Sequence, residues 1–234
     1  MTNIPGRIIR SSVSRSVRAL IALPLVALFA VLVAAAPDLD RVVALAAERY
    51  GAQGEETLRA WRSMIESART KPERERLELV NAFFNNHVLF EDDQIVWKQA
   101  DYWATPLETL GRGQGDCEDY SIGKYVTLGL LGVPIERLRI TYVRAEFGLP
   151  GSGLSQAHMV LAYYETPEGE PLVLDNLVSE VRPASRRTDL RPIFGFNSQG
   201  LWVAGSRGPA VADPNARLSR WRDLLSRMSA DGLN

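Results

Sequence analysis

The chain has very few residues of the types that build disulfide frameworks and zinc sites. Its 234 residues include one cysteine and two histidines. An internal disulfide is therefore excluded, and so is a zinc site built from several cysteines. The basic surplus that is typical of nucleic-acid-binding proteins is also missing, because 27 basic residues stand against 28 acidic ones. With 46% hydrophobic residues, the chain can bury a sizeable core. We expect a globular protein with no nucleic-acid partner.

Acidic residues are absent from the first 36 positions, which carry four arginines ahead of an uncharged run. Residues 19–36 contain no charge and end in Ala34-Ala35-Ala36, a pattern suited to signal peptidase. As a helix this run would reach about 27 Å, close to the ~30 Å hydrocarbon core. A cleaved secretory signal and an uncleaved membrane anchor therefore both stay open for residues 1–36, and either predicts export. The remaining chain has 23 basic and 28 acidic residues, a net charge of −5.

Helical periodicity in the first half of the chain is followed by strand-like alternation. We predict a helical lobe over about residues 37–100 and a core over about 101–234, with an α+β fold in which a central helix packs on an antiparallel sheet. The central helix is predicted from Asp116 to about Leu131. The predicted strands are Arg137–Phe147, His158–Glu165, Leu172–Leu177 and a pair after Pro192.

Other local patterns predict where the helices of the first half end. Gly51 and Gly54 are expected to break the first helix, and a further helix is predicted over Arg76–Phe90. The acidic triplet Glu91-Asp92-Asp93 is interpreted as a solvated loop, and the glycines of residues 110–115 as a flexible turn.

Cys117 stands at the predicted start of the central helix. Asp116 is suited to the N-cap position, and Asp119 completes the pattern of a capping box. A thiol at this place faces free backbone N–H groups and the positive end of the helix dipole, which lower its pKa. The same N–H groups could hold the oxyanion of an acyl-transfer intermediate. Cys117 is therefore the candidate nucleophile, and the alternative is a small buried hydrophobe.

His158 and Asp175 are the candidate partners of this nucleophile. They are predicted on successive strands joined by the turn at residues 166–169, so their side chains could pair across a hairpin. Asp175 stands among leucines and valines, where a carboxylate requires a partner. A cysteine nucleophile needs a base and a group that orients this base. His87 has no such partner in view, and we interpret it as structural.

Four short motifs resemble those of a known family, the bacterial transglutaminase-like cysteine proteinases. They cover the candidate nucleophile and both of its candidate partners. The motifs are DYWATP at residues 101–106, GDCEDY at residues 115–120, AHMV at residues 157–160 and LDN at residues 174–176.

The resemblance implies a papain/transglutaminase-like fold and a calcium-dependent endopeptidase of the periplasm. It implies that Cys117 is the nucleophile, His158 the general base and then acid, and Asp175 the orienting carboxylate. Members of this family cut a large surface adhesin near its amino terminus at a paired-alanine site, which releases biofilm cells. They are sequestered by an inner-membrane receptor that senses cyclic di-GMP. The matching calcium ligands are Asp116, Glu118 and Asp119.

These three acids surround one thiol within four residues of sequence. Without compensation they repel one another and raise the pKa of the thiol, which opposes catalysis. A bound cation removes this conflict, and ligands that are all oxygen favour calcium over softer metals. The alternative is that acids in a first helical turn simply stabilise the helix through its dipole, by about 0.3–1 kcal/mol each. The spacing leaves both open, and the resemblance favours calcium.

Two other functions remain possible for the same residues. A transglutaminase-type acyltransferase would use the same thioester intermediate and resolve it with an amine instead of water. A non-catalytic, calcium-gated binding module would keep the fold without the chemistry. A metal-dependent hydrolase is the weakest alternative, because two well-separated histidines provide no pair of ligands.

Overall fold

Two long helices form the first part of the chain that the structure describes. The computed structural model describes residues 1–2, 37–148, 153–204 and 208–233. The signal or anchor predicted over residues 1–36 therefore lies outside the described residues, apart from its first two. Helix α1 (Leu39–Ala68) begins after Asp38, whose carboxylate accepts a hydrogen bond from a backbone N–H of the first turn. Helix α2 (Glu73–His87) follows Pro72. No helix in the described ranges is long and apolar enough to cross a membrane.

The predicted break of the first helix is confirmed at Gly51, where two helical segments of α1 meet at a kink. Gly51 adopts φ 71° and ψ −163°, a conformation that glycine reaches without steric cost, and the helix is kinked there. The prediction of a break at Gly54 was wrong, because this residue lies inside the helix. Helix α2 stops at His87, so the predicted helix over residues 76–90 is shorter at its C-terminal end than expected.

Short elements connect α2 to the central helix α5 (Cys117–Leu130). Two two-residue strands, β1 (Leu89–Phe90) and β2 (Gln114–Gly115), pair in parallel, and the short helices α3 (Asp93–Val96) and α4 (Pro106–Arg112) lie between them in the sequence. The flexible turn predicted over residues 110–115 was wrong in part. Thr105 caps α4 in a complete capping box, and the helix ends at Gly113 with φ 67°.

The second half of the chain forms the predicted antiparallel sheet. Within the described residues it has six strands in the order β6-β5-β4-β3-β7-β8, and each pair of neighbours is antiparallel. Two helices follow, α6 (Pro214–Arg217) and α7 (Ser219–Asp231). The architecture is α+β, as predicted. The strands are β3 (Leu138–Glu146), β4 (Ser155–Tyr163), β5 (Leu172–Leu174), β6 (Arg182–Pro183), β7 (Leu190–Asn197) and β8 (Gly200–Val203).

Helix α5 is the centre of the main hydrophobic core. It packs against α2 and against strand β4 of the sheet, and every residue from Asp119 to Leu128 is buried. The core includes the fully buried side chains of Trp61, Phe84 and Trp221. Since both neighbours of α5 are in this core, packing determines where the N-terminus of α5 meets the sheet.

Candidate active site

Cys117 is the first residue of α5, as the sequence predicted. The capping box is complete, because the Asp116 carboxylate accepts backbone N–H groups of the first turn and the Asp116 N–H donates to Asp119 Oδ2 at 3.3 Å. The thiol is half-buried and donates to Glu118 Oε2 at 2.6 Å. The backbone N–H of Met159 donates to the sulfur, so Cys117 meets strand β4 directly beside His158.

His158 and Asp175 form the hydrogen-bonded pair that was expected across the hairpin. His158 Nε2 lies 2.8 Å from Asp175 Oδ1, and both side chains are buried. Their places in the strands differ from the prediction. His158 is the fourth residue of β4 and does not begin it, and Asp175 follows the end of β5. Because the carboxylate is the acceptor, Nε2 carries the donated proton and Nδ1 is left for chemistry.

The two oxygens of the Asp175 carboxylate have different surroundings, because Oδ1 accepts hydrogen bonds whereas Oδ2 forms an ion pair without hydrogen-bond geometry. Oδ1 also accepts the backbone N–H of Leu177 at 3.1 Å, and Oδ2 lies 2.7 Å from Nη2 of the buried Arg187. Burial alone would raise the pKa of Asp175, but the His158 hydrogen bond and the charges of His158 and Arg187 lower it to about 2. The group is therefore a carboxylate at neutral pH.

The main chain at Asp175 is held from the other side by α2 and α5. Asn85 Nδ2 donates to the Asp175 carbonyl oxygen at 2.8 Å, and Asn85 Oδ1 accepts from Lys124 Nζ at 2.8 Å. Lys124 is fully buried, and burial lowers its pKa to about 7 although the Asp175 charge opposes this shift. The central helix thus presents Cys117 at its first residue and, two turns later, supports the main chain at Asp175 indirectly through Asn85.

Four carboxylates lie together at the N-terminus of α5, one more than the sequence predicted. Oxygen atoms of Asp93, Asp116 and Asp119 lie within 4.8 Å of one another, and so do ligand atoms of Asp116, Cys117 and Glu118. Burial and the neighbouring Glu118, Asp119 and Asp93 raise the pKa of Asp116 to about 10. The pKa of Asp119, which is fully buried, is also raised well above its usual value.

The interpretation of Asp93 as part of a solvated loop was wrong. Its side chain is 4% exposed, and burial raises its pKa to about 6. One carboxylate oxygen accepts the backbone N–H of Tyr102, and the other is buried without a hydrogen-bond partner among the described residues. The sequence of the triplet 91–93 does not indicate which of its acids is buried. In the structure, the short helix α3 turns Asp93 towards Asp116, while Asp92 stays exposed.

Gly115 makes room for this carboxylate cluster. A Cβ atom built on Gly115 would lie 2.6 Å from Asp119 Oδ2 and 2.9 Å from Asp119 Cβ, closer than such contacts allow. Asp119 in turn accepts the backbone N–H of Ala104 at 2.7 Å. The glycine before Asp116 therefore serves the close approach of the Asp119 side chain.

The electrostatic consequence for Cys117 is the conflict expected from the sequence. Burial raises the pKa of the thiol, and the charge and hydrogen bond of Glu118 and the charge of Asp116 raise it further. The single opposing contribution is the backbone N–H of Met159. The helix N-terminus alone therefore does not make this thiol reactive while the carboxylates beside it remain uncompensated.

His87, interpreted as structural from the sequence, packs at the end of α2. Its ring stacks on Phe83 with centroids 4.0 Å apart, and Nδ1 lies 2.9 Å from the Phe83 carbonyl oxygen. These contacts stay within one helix turn and account for the ring without a chemical role. Sequence reasoning assigned no role in the site to Asp93, Arg187, Lys124 or Asn85.

Comparison with known proteins agrees with this geometry. The model of the bacterial transglutaminase-like cysteine proteinases matches residues 50–194, more than half of the chain. The chain belongs to this family of cysteine proteinases. No curated protein matches it.

Among solved structures, the chain is similar to LapG of Legionella pneumophila in two states. The calcium-bound LapG is 42% identical, with a TM-score of 0.70, over 82% of this chain and 99% of LapG. The EGTA-treated LapG is also 42% identical, with a TM-score of 0.71, over 82% of this chain and all of LapG. The transglutaminase-like fold is thus shown both by the family and by these structures.

Proposed function

We propose that this protein is a calcium-dependent cysteine endopeptidase that is exported to the periplasm and cleaves a large surface adhesin. The observation that carries the catalytic part is the buried His158–Asp175 pair beside the helix N-terminus that presents Cys117. Membership of a cysteine proteinase family supports peptide hydrolysis over amine transfer for these residues.

In this proposal Cys117 attacks the carbonyl carbon of the scissile peptide bond while His158 accepts the thiol proton at Nδ1. Backbone N–H groups at the start of α5 hold the oxyanion. His158 then donates its proton to the leaving nitrogen, which leaves a thioester on Cys117. Water attacks this thioester as His158 takes its proton, the C–S bond breaks to release the carboxylic acid product, and His158 returns the proton to the Cys117 sulfur. Asp175 keeps Nε2 protonated and stabilises the imidazolium throughout.

The acidic cluster fits a calcium ion by its own chemistry. Its donors are carboxylate oxygens, which are the ligands that calcium prefers, and one oxygen of Asp93 is buried without a partner. Asp93, Asp116, Glu118 and Asp119 would hold the ion, and backbone carbonyls and water would complete its shell. When bound, the ion compensates the negative charge that raises the pKa of Cys117. The calcium-bound and EGTA-treated forms of LapG support this assignment.

The proposed substrate and regulator rest on the resemblance to the family. The proposed substrate is the N-terminal region of a large surface adhesin, cut at a paired-alanine site, and its release promotes biofilm dispersal. The proposed regulator is an inner-membrane receptor that senses cyclic di-GMP and sequesters the protease. The apolar run before Pro37 supports export to the periplasm, as a signal or as an inner-membrane anchor.

The test is cleavage of an adhesin N-terminal fragment that contains paired alanines, in calcium and in EGTA. We expect one cut at the alanine pair in calcium and none in EGTA. Cys117→Ala should show no cut in either calcium or EGTA. A fragment with the alanine pair replaced by two valines is the matched substrate control.

Each outcome separates one part of the proposal. A cut that persists in Cys117→Ala would contradict the nucleophile. A cut that persists in EGTA would contradict the calcium requirement and leave the acids as helix capping. No cut in calcium, together with incorporation of a fluorescent primary amine into the fragment, would replace hydrolysis by acyl transfer.

A further inference from the structure

Arg187 is the only described side chain that contacts the second oxygen of Asp175 as an ion pair. Nη2 of this arginine lies 2.7 Å from Asp175 Oδ2, whereas His158 and Leu177 N–H are both on Oδ1. The two carboxylate oxygens thus have separate partners. The guanidinium fixes the orientation of the carboxylate plane, because a partial rotation that moved Oδ1 away from the imidazole would also move Oδ2 away from Arg187.

The arginine itself is held rigidly. Asp189 accepts from Arg187 Nε at 3.0 Å and from Nη2 at 2.8 Å, which is the two-pronged geometry that a planar guanidinium favours. The backbone is anchored to the sheet, since the Asp189 carbonyl accepts the N–H of Glu146 at the end of β3. Arg187 is 3% exposed, so water cannot substitute for its charge.

We propose that Arg187, clamped by Asp189, is a positioning residue that fixes the Asp175 carboxylate so that Oδ1 holds His158 Nε2–H and leaves Nδ1 free for Cys117. It touches neither substrate nor the reacting atoms and acts through Asp175. The inference rests on the proposed roles of Cys117, His158 and Asp175. Arg187 would be a fourth functional side chain beside these three. It lies between β6 and β7, outside the four short motifs at residues 101–106, 115–120, 157–160 and 174–176.

The test compares Arg187→Met and Arg187→Lys with Arg182→Met. Arg182 is the matched control, because it is five residues away and its ion pair with Glu180 is exposed. The full chain is used with saturating calcium. The first readout is the proton on His158 Nε2, seen by NMR in protein labelled with ¹⁵N-histidine and carrying no histidine tag. The chain has only two histidines, so His158 is assigned by comparison with His87→Gln.

In the wild type we expect a strongly downfield proton bound to Nε2. Arg187→Met should move this resonance upfield or remove it, and lower kcat roughly 10- to 100-fold while KM changes less than about twofold, as for other partners that orient a reacting group. Arg187→Lys should restore part of both, and Arg182→Met should match the wild type. If Arg187→Met does not fold, Asp189→Asn replaces it, and the same two readouts are expected to shift less.

Two results would overturn the proposal. One is a wild-type His158 resonance and a kcat within about twofold of wild type in a folded Arg187→Met or Asp189→Asn protein. The other is a loss of activity that follows a lower Tm while the His158 resonance is unchanged, which would make Arg187 merely structural. If the wild type cleaves nothing, the proposed substrate fails, but the NMR readout still decides the role of Arg187.

Discussion

The two sides of the candidate site treat buried carboxylates in opposite ways. On the sheet side, the pKa of Asp175 is lowered to about 2. At the N-terminus of α5, the pKa of Asp116 is raised to about 10 and that of Asp93 to about 6. Burial opposes the charged form on both sides, so the difference comes from the neighbours. Asp175 has His158 and Arg187, whereas Asp116 has three further carboxylates.

The contrast is one of charge compensation. The protein compensates the charge of Asp175 with its own side chains, but within the described residues it does not compensate the carboxylates around Asp116. One oxygen of Asp175 accepts hydrogen bonds from His158 and the Leu177 N–H, and the other faces the Arg187 guanidinium. The charged neighbours that raise the pKa of Asp116 are themselves carboxylates, namely Glu118, Asp119 and Asp93. A bound cation would compensate this negative charge, which supports the proposal that the first region carries the chemistry and the second binds the metal ion.

The largest expected effect is the loss of kcat when Asp175, on the sheet side of the site, is replaced. Asp175→Asn should lower kcat roughly 10³- to 10⁴-fold, because the amide cannot keep His158 in the required tautomer or stabilise its positive form. The calcium Kd, measured by titration calorimetry, should stay unchanged if the two regions are independent. Glu180→Gln, an exposed acid on the same segment, is the control and should retain wild-type kcat. A large change of the calcium Kd in Asp175→Asn would break the separation between the regions.

A smaller effect, on calcium affinity, is expected from the carboxylate cluster at the N-terminus of α5. Asp93→Asn removes one charge from the cluster and should weaken calcium about 10- to 100-fold, a typical loss for a metal site that loses one supporting group. The metal-free protein should gain stability, because one repelling carboxylate is removed. Calorimetry and thermal unfolding in EGTA measure the two effects.

Asp92→Asn is the matched control for Asp93→Asn, because the neighbouring acid is exposed. It should change neither the calcium Kd nor the metal-free Tm. Equal effects of the two variants, or a wild-type Kd in Asp93→Asn, would show that Asp93 is not a ligand and that the cluster has only the three acids of the motif.

The parts of the site that were predicted from the sequence are those in which local pattern and chemistry coincide. Asp116, Cys117 and Asp119 form a capping box, a feature of four consecutive residues, and the structure has it as expected. The pairing of His158 with Asp175 followed from one hairpin turn. The roles of these residues in catalysis remain predictions until the nucleophile and its partners are tested.

The parts that were missed depend on contacts between residues far apart in the sequence. Asp93 is inward because α3 packs near the start of α5, and Arg187 reaches Asp175 only after the chain has passed through β6. Lys124 looks like any lysine in a helix, and only the packing of α5 between α2 and the sheet buries it. A side chain's partner at long sequence separation leaves no periodic pattern, so charge and spacing alone assign such acids and bases to the surface.

The smallest expected effect sharpens the comparison through the pH dependence of stability. Burial lowers the pKa of Lys124 to about 7, far below its usual 10.5, so between these values the unfolded chain binds a proton that the native protein does not. Stability of the wild type should therefore rise with pH across this window, by at most about 1.4 kcal/mol per pH unit, and reach its lowest contribution below about pH 7. In Lys124→Met this dependence is absent, so the difference in unfolding free energy between the two proteins should shift in favour of the wild type by roughly 2.5 kcal/mol between about pH 7.5 and 9.5. Urea unfolding in saturating calcium measures it, with Lys71→Met as the control, because that lysine is half-exposed. If the wild-type and Lys124→Met curves stay parallel, Lys124 remains charged beside Asp175, and the sheet side then holds two permanent buried cations instead of one.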